Sequence, residues 1–485
     1  MTDQKFQHHW LVLLCALMVA SCGGGGSSPN NVTQPTLVSI ALSPPTVSLA
    51  PGATQQLTVT GTYSSGSPQT LAASGETFTS SNTAVATVSA TGLVTVVAGA
   101  ATGQTATISA KDTASSLTTS AATSTVVTVT AVPLAGQIAA ATATAQNNAL
   151  CAAAISPFYW EVGDKTGALA GGSVGVDATG KAVTSSTAFN IASASKWVYG
   201  MYVVQLRGGA TGLTKGTVSA SNPAGTVGDV DFLHFASGYT NMGSDTTSAE
   251  CPTTDVPDTV NVCLALPDTQ PNGDAPNQPY GTQIAANIGI FDYDSGHEEV
   301  HASQLGALGD VANADLGATV WATLGVGQPM TYSEPLIAGG LVGSADEYTN
   351  LLRAVLNGTL GMIDALGIDP ICTNNGATYG ASSTTPGVCT AGSSNPIPEN
   401  WHYSIAHWVE DDPAYNNDGA FSSPGAFGFY PWIDATKTYY GVISRLALPG
   451  VLTGVQQGYV SQQCGQLIRH AFITGIEQTG ALPAD

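Results

Sequence analysis

Ser193 and Lys196 stand at i and i+3 in Phe189-Asn-Ile-Ala-Ser-Ala-Ser-Lys-Trp-Val-Tyr-Gly200. The apolar run continuing through Leu206 predicts a helix, and positions i and i+3 share one face of its first turn. A serine hydroxyl is a poor nucleophile at its free pKa. A lysine amine desolvated beside it can be neutral and take the hydroxyl proton. The start of the helix adds backbone N–H groups that can face a developing oxyanion. This pattern points to acyl transfer through an acylated Ser193.

A second pattern competes with it. His297-Glu298-Glu299-Val300-His301 is a His-Glu-x-x-His match. On a helix it sets two imidazoles on one face with Glu298 as base, the arrangement of zinc hydrolases. Gly306 is not placed for the extended version of that pattern, and no later His has the right spacing. Glu334 or Glu347 would have to serve as third ligand. Asp292-x-Asp294-x-Gly296 lacks the later acid of a calcium loop. We therefore expect no metal and no organic cofactor, and read His297 as a residue lining the serine site.

Such groups need a scaffold, and 485 residues suffice for more than one domain. The chain carries 11 Lys and Arg against 33 Asp and Glu, a formal net charge of −22. Only 9% of residues are charged, where ~25% is usual, while 43% are hydrophobic. That excludes a nucleic-acid binder and a protein that coats anionic membranes. Apolar residues are too plentiful for an acidic disordered tail. Of the charged residues only Lys5, Lys111, Asp3, Glu76 and Asp112 precede residue 141, so 9 basic and 30 acidic ones fall within 141–485.

Composition divides the chain further. Residues 1–21 read as a signal peptide, with Lys5 near the start and an apolar run, Trp10–Ala20, too short to span a bilayer. The ending Val19-Ala-Ser-Cys22 resembles a lipobox, which makes Cys22 the expected lipidation site. Residues 22–36 form a Gly/Ser tether. Residues 37–131 hold short Val/Thr/Ile strands split by turn signals such as Pro51-Gly52, the pattern of a small antiparallel sandwich. An Ala/Pro/Gly linker, 132–140, leads to a domain over 141–485. The location expected is that of an exported bacterial lipoprotein, in the periplasm or at the outer membrane or cell surface, attached to the membrane through the lipid alone.

Six cysteines remain after Cys15 and Cys22 are set aside, and an even number in an oxidising compartment suggests three disulfides among 15 pairings. Cys251–Cys263 and Cys372–Cys389 would close short loops, leaving Cys151–Cys464 to tie the ends of the large domain. Val460, Cys464, Ile468, Phe472 and Ile476 repeat at i+4, a helical period.

Two resemblances follow from these segments. Ser81-Asn-Thr-Ala-Val-Ala-Thr-Val-Ser-Ala-Thr-Gly-Leu-Val-Thr-Val-Val-Ala-Gly resembles bacterial Ig-like domains of group 2, with Phe78 where that family often has Trp. The family implies a spacer or an adhesive surface. Phe189-x-Ile-Ala-Ser-x-Ser-Lys196 resembles the nucleophile segment of serine β-lactamase-like hydrolases: class C β-lactamases, penicillin-binding carboxypeptidases, esterases and amide hydrolases. Leu233-His-Phe-Ala-Ser-Gly238, Phe291-Asp-Tyr-Asp-Ser295, Ala338-Gly-Gly-Leu341 and Ser423-Pro-Gly-Ala-Phe-Gly428 follow in that family's order.

The second resemblance implies a two-lobed α/β(+α) fold with an antiparallel sheet. It implies Ser193 as nucleophile, Lys196 as its proton acceptor, Tyr293 as base and then acid on the leaving group, and Ser295 as their hydrogen-bonding neighbour. Backbone N–H groups of Ser193 and Ala426 would form the oxyanion hole, with Ser423 and Gly425 contacting substrate. Tyr239-Thr-Asn241 is a literal Tyr-x-Asn and a rival for Tyr293. Ser423 stands where the family has a basic residue and Ser295 where it has an amide, which favours neutral esters or amides over penicillins. The Trp401–Trp408 segment is either a pocket wall or a plain strand. The function expected is hydrolysis of small ester, amide or cell-wall-type substrates. The alternatives are a surface adhesin with a degenerate hydrolase domain and a zinc hydrolase built on His297 and His301.

Overall fold

The computed structural model describes residues 34–97, 100, 102–151, 156–219, 222, 224–242, 258–268, 275–374, 396–397, 399–412, 418–445 and 454–481. The expected signal segment, Cys22 and most of the tether lie outside the described residues, as do Cys251 and Cys389.

The N-terminal unit is all-β. Leu37–Ser43 pairs with Thr58–Tyr63 and that with Gln69–Leu71; a four-stranded sheet runs Thr46–Leu49, Thr125–Val129, Thr105–Asp112, Glu76–Ser80; a third sheet joins Thr54–Gln56, Leu93–Val96 and Ala86–Val88. Alternation fixes which face is buried. In Thr105–Asp112, Ala106, Ile108 and Ala110 point inward, and they meet Val127 and Val129 of the neighbouring strand together with Ile40, Val59 and Val94. Phe78 packs at the edge of this core.

The chain does not pass to the next unit through a loose linker. Residues expected as linker enter a helix, Leu134–Asn147, at Pro133. An Ala-rich stretch favours helix wherever it finds a surface to cover. Here Ala141 and Ala145 pack with Ile468 and Phe472 of the long Gly454–Thr474 helix. Cys151 and Cys464 are joined by a disulfide across 313 residues, as expected. Cys263 and Cys372 are also disulfide-bonded.

These two helices cover one face of an eight-stranded antiparallel sheet. Its order is Gly167–Val174, Phe158–Asp164, Tyr439–Arg445, Phe429–Ile433, Ala420–Ser422, Trp408–Glu410, His402–Tyr403, Ile371–Cys372. Strand Phe429–Ile433 has period 2 and is buried on both sides. Tyr430 and Trp432 face the terminal helices, while Phe429 and Ile433 join the core of the other face. That second core is helical, built from Ala194–Leu206, Asn313–Leu324 and Ala345–Leu356. The shorter helices Asp229–Leu233, Val260–Leu264 and Gly296–Gln304 complete this lobe. The two-lobed α/β(+α) fold is thus observed, with Ser193 at the start of the helix between sheet and lobe.

Candidate active site

The nucleophile segment is held from several sides. Ile191 N–H donates to the Leu341 carbonyl at 2.9 Å, and Ala192 N–H to Asn190 Oδ1 at 2.7 Å. Ala192 has φ +46°, the left-handed region that a side chain with Cβ adopts only at a cost of order 1–3 kcal/mol. The bend turns the chain sharply into the Ala194–Leu206 helix and leaves Ser193 half-buried at its N-terminus. Downstream, Tyr348 donates its phenol proton to the Ala194 carbonyl at 2.9 Å. The helix interior is apolar on every side: Trp197, Val198, Tyr199, Met201, Val203 and Val204 are fully buried. Such a helix cannot slide or roll without breaking core contacts.

Lys196 lies one turn inside. It is 3% exposed, and Nζ donates to Ser193 Oγ at 3.3 Å and to the Ala338 carbonyl at 2.9 Å. The N–H of the same residue, Ala338, donates to Glu299 Oε1 at 2.8 Å. The Ala-Gly-Gly-Leu segment therefore clamps the lysine from behind. Lys196 Nζ also lies over the Tyr293 ring, 5.1 Å from its centroid.

Ser193 and Tyr293 open onto one cleft of about 90 Å³. Its other walls are Pro396, Ile397, Trp408, Pro424, Gly425, Ala426, Gly458 and Tyr459. Tyr293 stacks on Trp408 (centroids 5.5 Å, planes 22° apart) and meets Phe235 edge-on at 5.4 Å, so its ring has little freedom to turn. Among the described residues that line the cleft, none carries a charge. Trp408 both forms the strand Trp408–Glu410 and walls the cleft, so both readings of the Trp401–Trp408 segment hold.

The segment Ser423–Gly428 runs along the opposite wall. Gly425 comes so near the nucleophile turn that a Cβ there would sit 2.1 Å from the Ile191 carbonyl oxygen. Glycine is needed for that approach, which brings the Ala426 backbone to the cleft. Ser423 corrects an expectation. It is 2% exposed, and its hydroxyl donates to the Ser193 carbonyl at 2.9 Å. It pins this strand to the nucleophile turn and does not line the cleft.

His297 is a second correction. Its side chain is wholly buried. Nδ1 pairs with Ser237 Oγ at 2.6 Å and Nε2 with the Asp292 carbonyl at 3.0 Å, while the ring stacks on Phe235. Burial drives its pKa down to about 3, so the ring is neutral. It fastens the Leu233–Gly238 turn to the segment bearing Tyr293 and reaches no substrate. His301 likewise pairs through Nδ1 with the Tyr199 hydroxyl at 3.1 Å and through Nε2 with Asp229 at 3.0 Å. Burial alone would raise the pKa of Asp229, yet hydrogen bonds from His301 and Arg207 hold it low. All four ring nitrogens of the His-Glu-x-x-His pattern thus face protein partners. Among the described residues no group of three His, Cys, Asp or Glu is placed to hold a metal ion.

Ser295 is buried where the Gly296–Gln304 helix begins, and its carbonyl accepts from Glu298 and Glu299 N–H; it is not in the lining of the cleft. The rival Tyr239-Thr-Asn241 is structural. Tyr239 stacks on Phe232, and the Asn241 amide donates to the Pro279 carbonyl and accepts from Ala275 N–H. Sequence reasoning missed Ile397, Tyr459 and the buried carboxyls near Lys196. Only the acidic pair within His-Glu-Glu-Val-His hinted at the last.

Residues 37–122 match the family model of the bacterial Ig-like domain (group 2). The N-terminal unit is a domain of that family. Ice-binding protein 1 of Shewanella frigidimarina (strain NCIMB 400) is 41% identical over 86 residues, 18% of this chain. The chain spans about a tenth of that relative's length. Among solved structures, the chain is similar to a β-lactamase from Mycobacterium bovis (13% identity, TM-score 0.34, 65% of this chain and 95% of that one). It is similar to EstCE1, a hydrolase with promiscuous acyltransferase activity (13%, TM-score 0.39, 68% and 98%). A third is the unliganded simvastatin synthase of Aspergillus terreus (12%, TM-score 0.37, 69% and 98%). Likeness at this level carries no activity or substrate across to this chain.

Proposed function

We propose that residues 141–485 form a serine hydrolase acting on small uncharged esters or amides through an acyl-Ser193 intermediate. The observation that carries this reading is the Lys196 amine 3.3 Å from Ser193 Oγ at the foot of a cleft in which none of the described lining residues is charged.

The mechanism follows from the groups present. Lys196, in its neutral form, accepts the Ser193 proton as Oγ bonds to the acyl carbon, and the carbonyl π pair moves onto oxygen. Backbone N–H groups of Ser193 and Ala426 are the donors proposed for that oxyanion. Collapse expels the alcohol or amine, which takes up the proton, with the Tyr293 phenol as the relay nearest the cleft. Water then repeats the sequence on the acyl-enzyme and restores Ser193. Trp408, Ile397 and Pro424 give the cleft an apolar wall suited to a hydrocarbon acyl or alkyl group. An anionic penicillin would find no fixed cation among the described residues of that lining. We place the enzyme at the bacterial envelope, lifted on its Ig-like domain and held by a lipid on Cys22; among the described residues no helix is long and apolar enough to cross a membrane.

A fluorophosphonate probe with peptide mapping tests the reading. The expected adduct is on Ser193, absent in Ser193→Ala and indifferent to chelators. Hydrolysis without an adduct, abolished by chelation, would refute it.

A further inference from the structure

The two units touch at more than the chain that joins them. The turn Pro51-Gly52 of the Ig-like domain abuts the end of the Gly454–Thr474 helix, so closely that a Cβ on Gly52 would stand 2.8 Å from Thr474 Cγ2. Beside this contact lies a cavity of about 440 Å³. Small-molecule sites span roughly 300–1,000 Å³ and concentrate at domain junctions. Pro51, Ala100 and Thr102 wall the cavity from the Ig-like side, and Gln137, Tyr439, His470 and Ile473 from the other. It shares no described lining residue with the cleft of Ser193.

Two polar side chains on this wall have hydrogen-bonding capacity to spare. Gln137 is 8% exposed, and its amide makes no hydrogen bond among the described residues. The His470 ring makes none there either, and burial lowers its pKa, so the ring is neutral. A polar group that has left bulk water without gaining a partner costs free energy, and a ligand in the cavity can recover it. The two carboxylates of the wall differ, because both are engaged. Asp418 accepts from Arg469 Nε at 2.6 Å and Nη2 at 2.9 Å. Asp434 accepts from the Thr436 and Thr438 N–H groups of its own turn, at 3.0 and 2.8 Å. Among the described lining residues there is no lysine or arginine. Neither an anion nor a cation is singled out by such a wall.

What the wall offers is groups that both donate and accept: the Gln137 amide, the His470 imidazole and the Thr102 hydroxyl. They stand beside the apolar surfaces of Tyr439 and Ile473. A sugar ring has the matching build, with hydroxyls that donate and accept around its edge and C–H groups on its face. We propose that this interdomain cavity binds a neutral saccharide, with Gln137 and His470 bonding its hydroxyls and the Tyr439 ring meeting its C–H face. The site is independent of the chemistry at Ser193. Its wall is complete only when both units are present, which gives the Ig-like domain a part in recognition besides that of a spacer.

The test is isothermal titration calorimetry of the full chain with galactose, N-acetylglucosamine and cellobiose, and with spermidine as a cationic control. At least one sugar should bind saturably. Gln137→Ala and His470→Ala should each weaken that binding by on the order of 10-fold. Thr102→Trp, at an exposed position on the Ig-like side, should block it. Ser193→Ala should bind as wild type does. Saturable binding by none of the three sugars overturns the proposal, as does tighter binding of spermidine. Sugar binding that survives unchanged in all three cavity variants, or that is lost in Ser193→Ala, places the sugar elsewhere and also overturns it. Thr102→Trp decides the matter should Gln137→Ala or His470→Ala not fold.

Discussion

Gly425→Ala offers the sharpest test of the catalytic geometry. The added Cβ would lie 2.1 Å from the Ile191 oxygen, 3.1 Å from its carbonyl carbon and 3.3 Å from the Phe429 oxygen. All three are backbone atoms, so no side chain can swing aside. Ile191 is anchored by its bond to Leu341, and Gly425 donates to the Phe429 carbonyl at 2.7 Å. Relief to ordinary contact, roughly 3.4 Å, requires the Ser423–Gly428 turn to recede by about 1 Å. Overpacking of this kind costs about 1–3 kcal/mol of stability. A displacement of ~1 Å at a reacting centre costs about 10²-fold in rate, as does loss of one oxyanion donor. The expected result is a fall of about 100-fold in kcat with KM changed much less, because the donor proposed at Ala426 would act on the transition state. The assay is steady-state ester hydrolysis beside a thermal melt. A variant with wild-type kcat and a lowered Tm would refute the reasoning, since the turn would then have moved without affecting the reaction.

Other outcomes follow from the same structure. Lys196→Met should reduce kcat/KM by at least ~10³-fold while Ser193 remains in place; fluorophosphonate labelling rates measure it. Tyr293→Phe keeps the stack on Trp408 and should preserve the melting temperature while cutting kcat by about 10²–10⁴-fold. Trp408→Ala should shift preference toward longer or bulkier acyl chains, read from kcat/KM over a p-nitrophenyl ester series, at a stability cost of about 3–5 kcal/mol. Cys151→Ser with Cys464→Ser reopens a long loop and should cost up to ~5 kcal/mol in the chain-entropy description, seen as a lowered denaturation midpoint.

Stability should also depend on pH with a definite sign. Glu298, Glu299 and Glu399 are pushed up to about 8 by burial, so the folded state binds protons the unfolded chain releases above about 4.5. Stability from these groups is lost as pH rises from 4.5 to 8. His297 and His407, driven by burial to about 3 and about 4, act oppositely, destabilising as pH falls below 6.5. Chemical denaturation should therefore give a higher midpoint at pH 5.5 than at pH 8.5, and a falling one below pH 4.5. A higher midpoint at pH 8.5 would mean these carboxyls are ionised in the native state.

Much of this architecture was legible in the residues. Alternating Val and Thr marked the sandwich, the apolar run after Lys196 marked the helix, and the even cysteine count pointed to the Cys151–Cys464 bridge. The structure also brings Ser193, Lys196, Tyr293, Gly425 and Ala426 together, although more than 200 residues separate the first and last. What failed was burial of polar groups. His297 has the composition of an exposed or metal-binding helix turn, yet Ser237 and the Asp292 carbonyl, from separate segments, satisfy both its nitrogens. Ser423 reads as a substrate contact because its partner is a backbone oxygen, which no side-chain pattern reveals. The 132–140 segment has linker composition and becomes helix because a second helix, over 300 residues away, offers a surface.

The bridge between Cys151 and Cys464 has a mechanical meaning as well. A tension applied at the Ig-like unit and drawn toward the chain's end enters through Leu134–Asn147. It crosses to Gly454–Thr474 by a covalent bond. Residues 152–463, including the described residues that line the cleft, sit on the slack branch of that closed loop. Tension along that path bypasses the walls of the cleft.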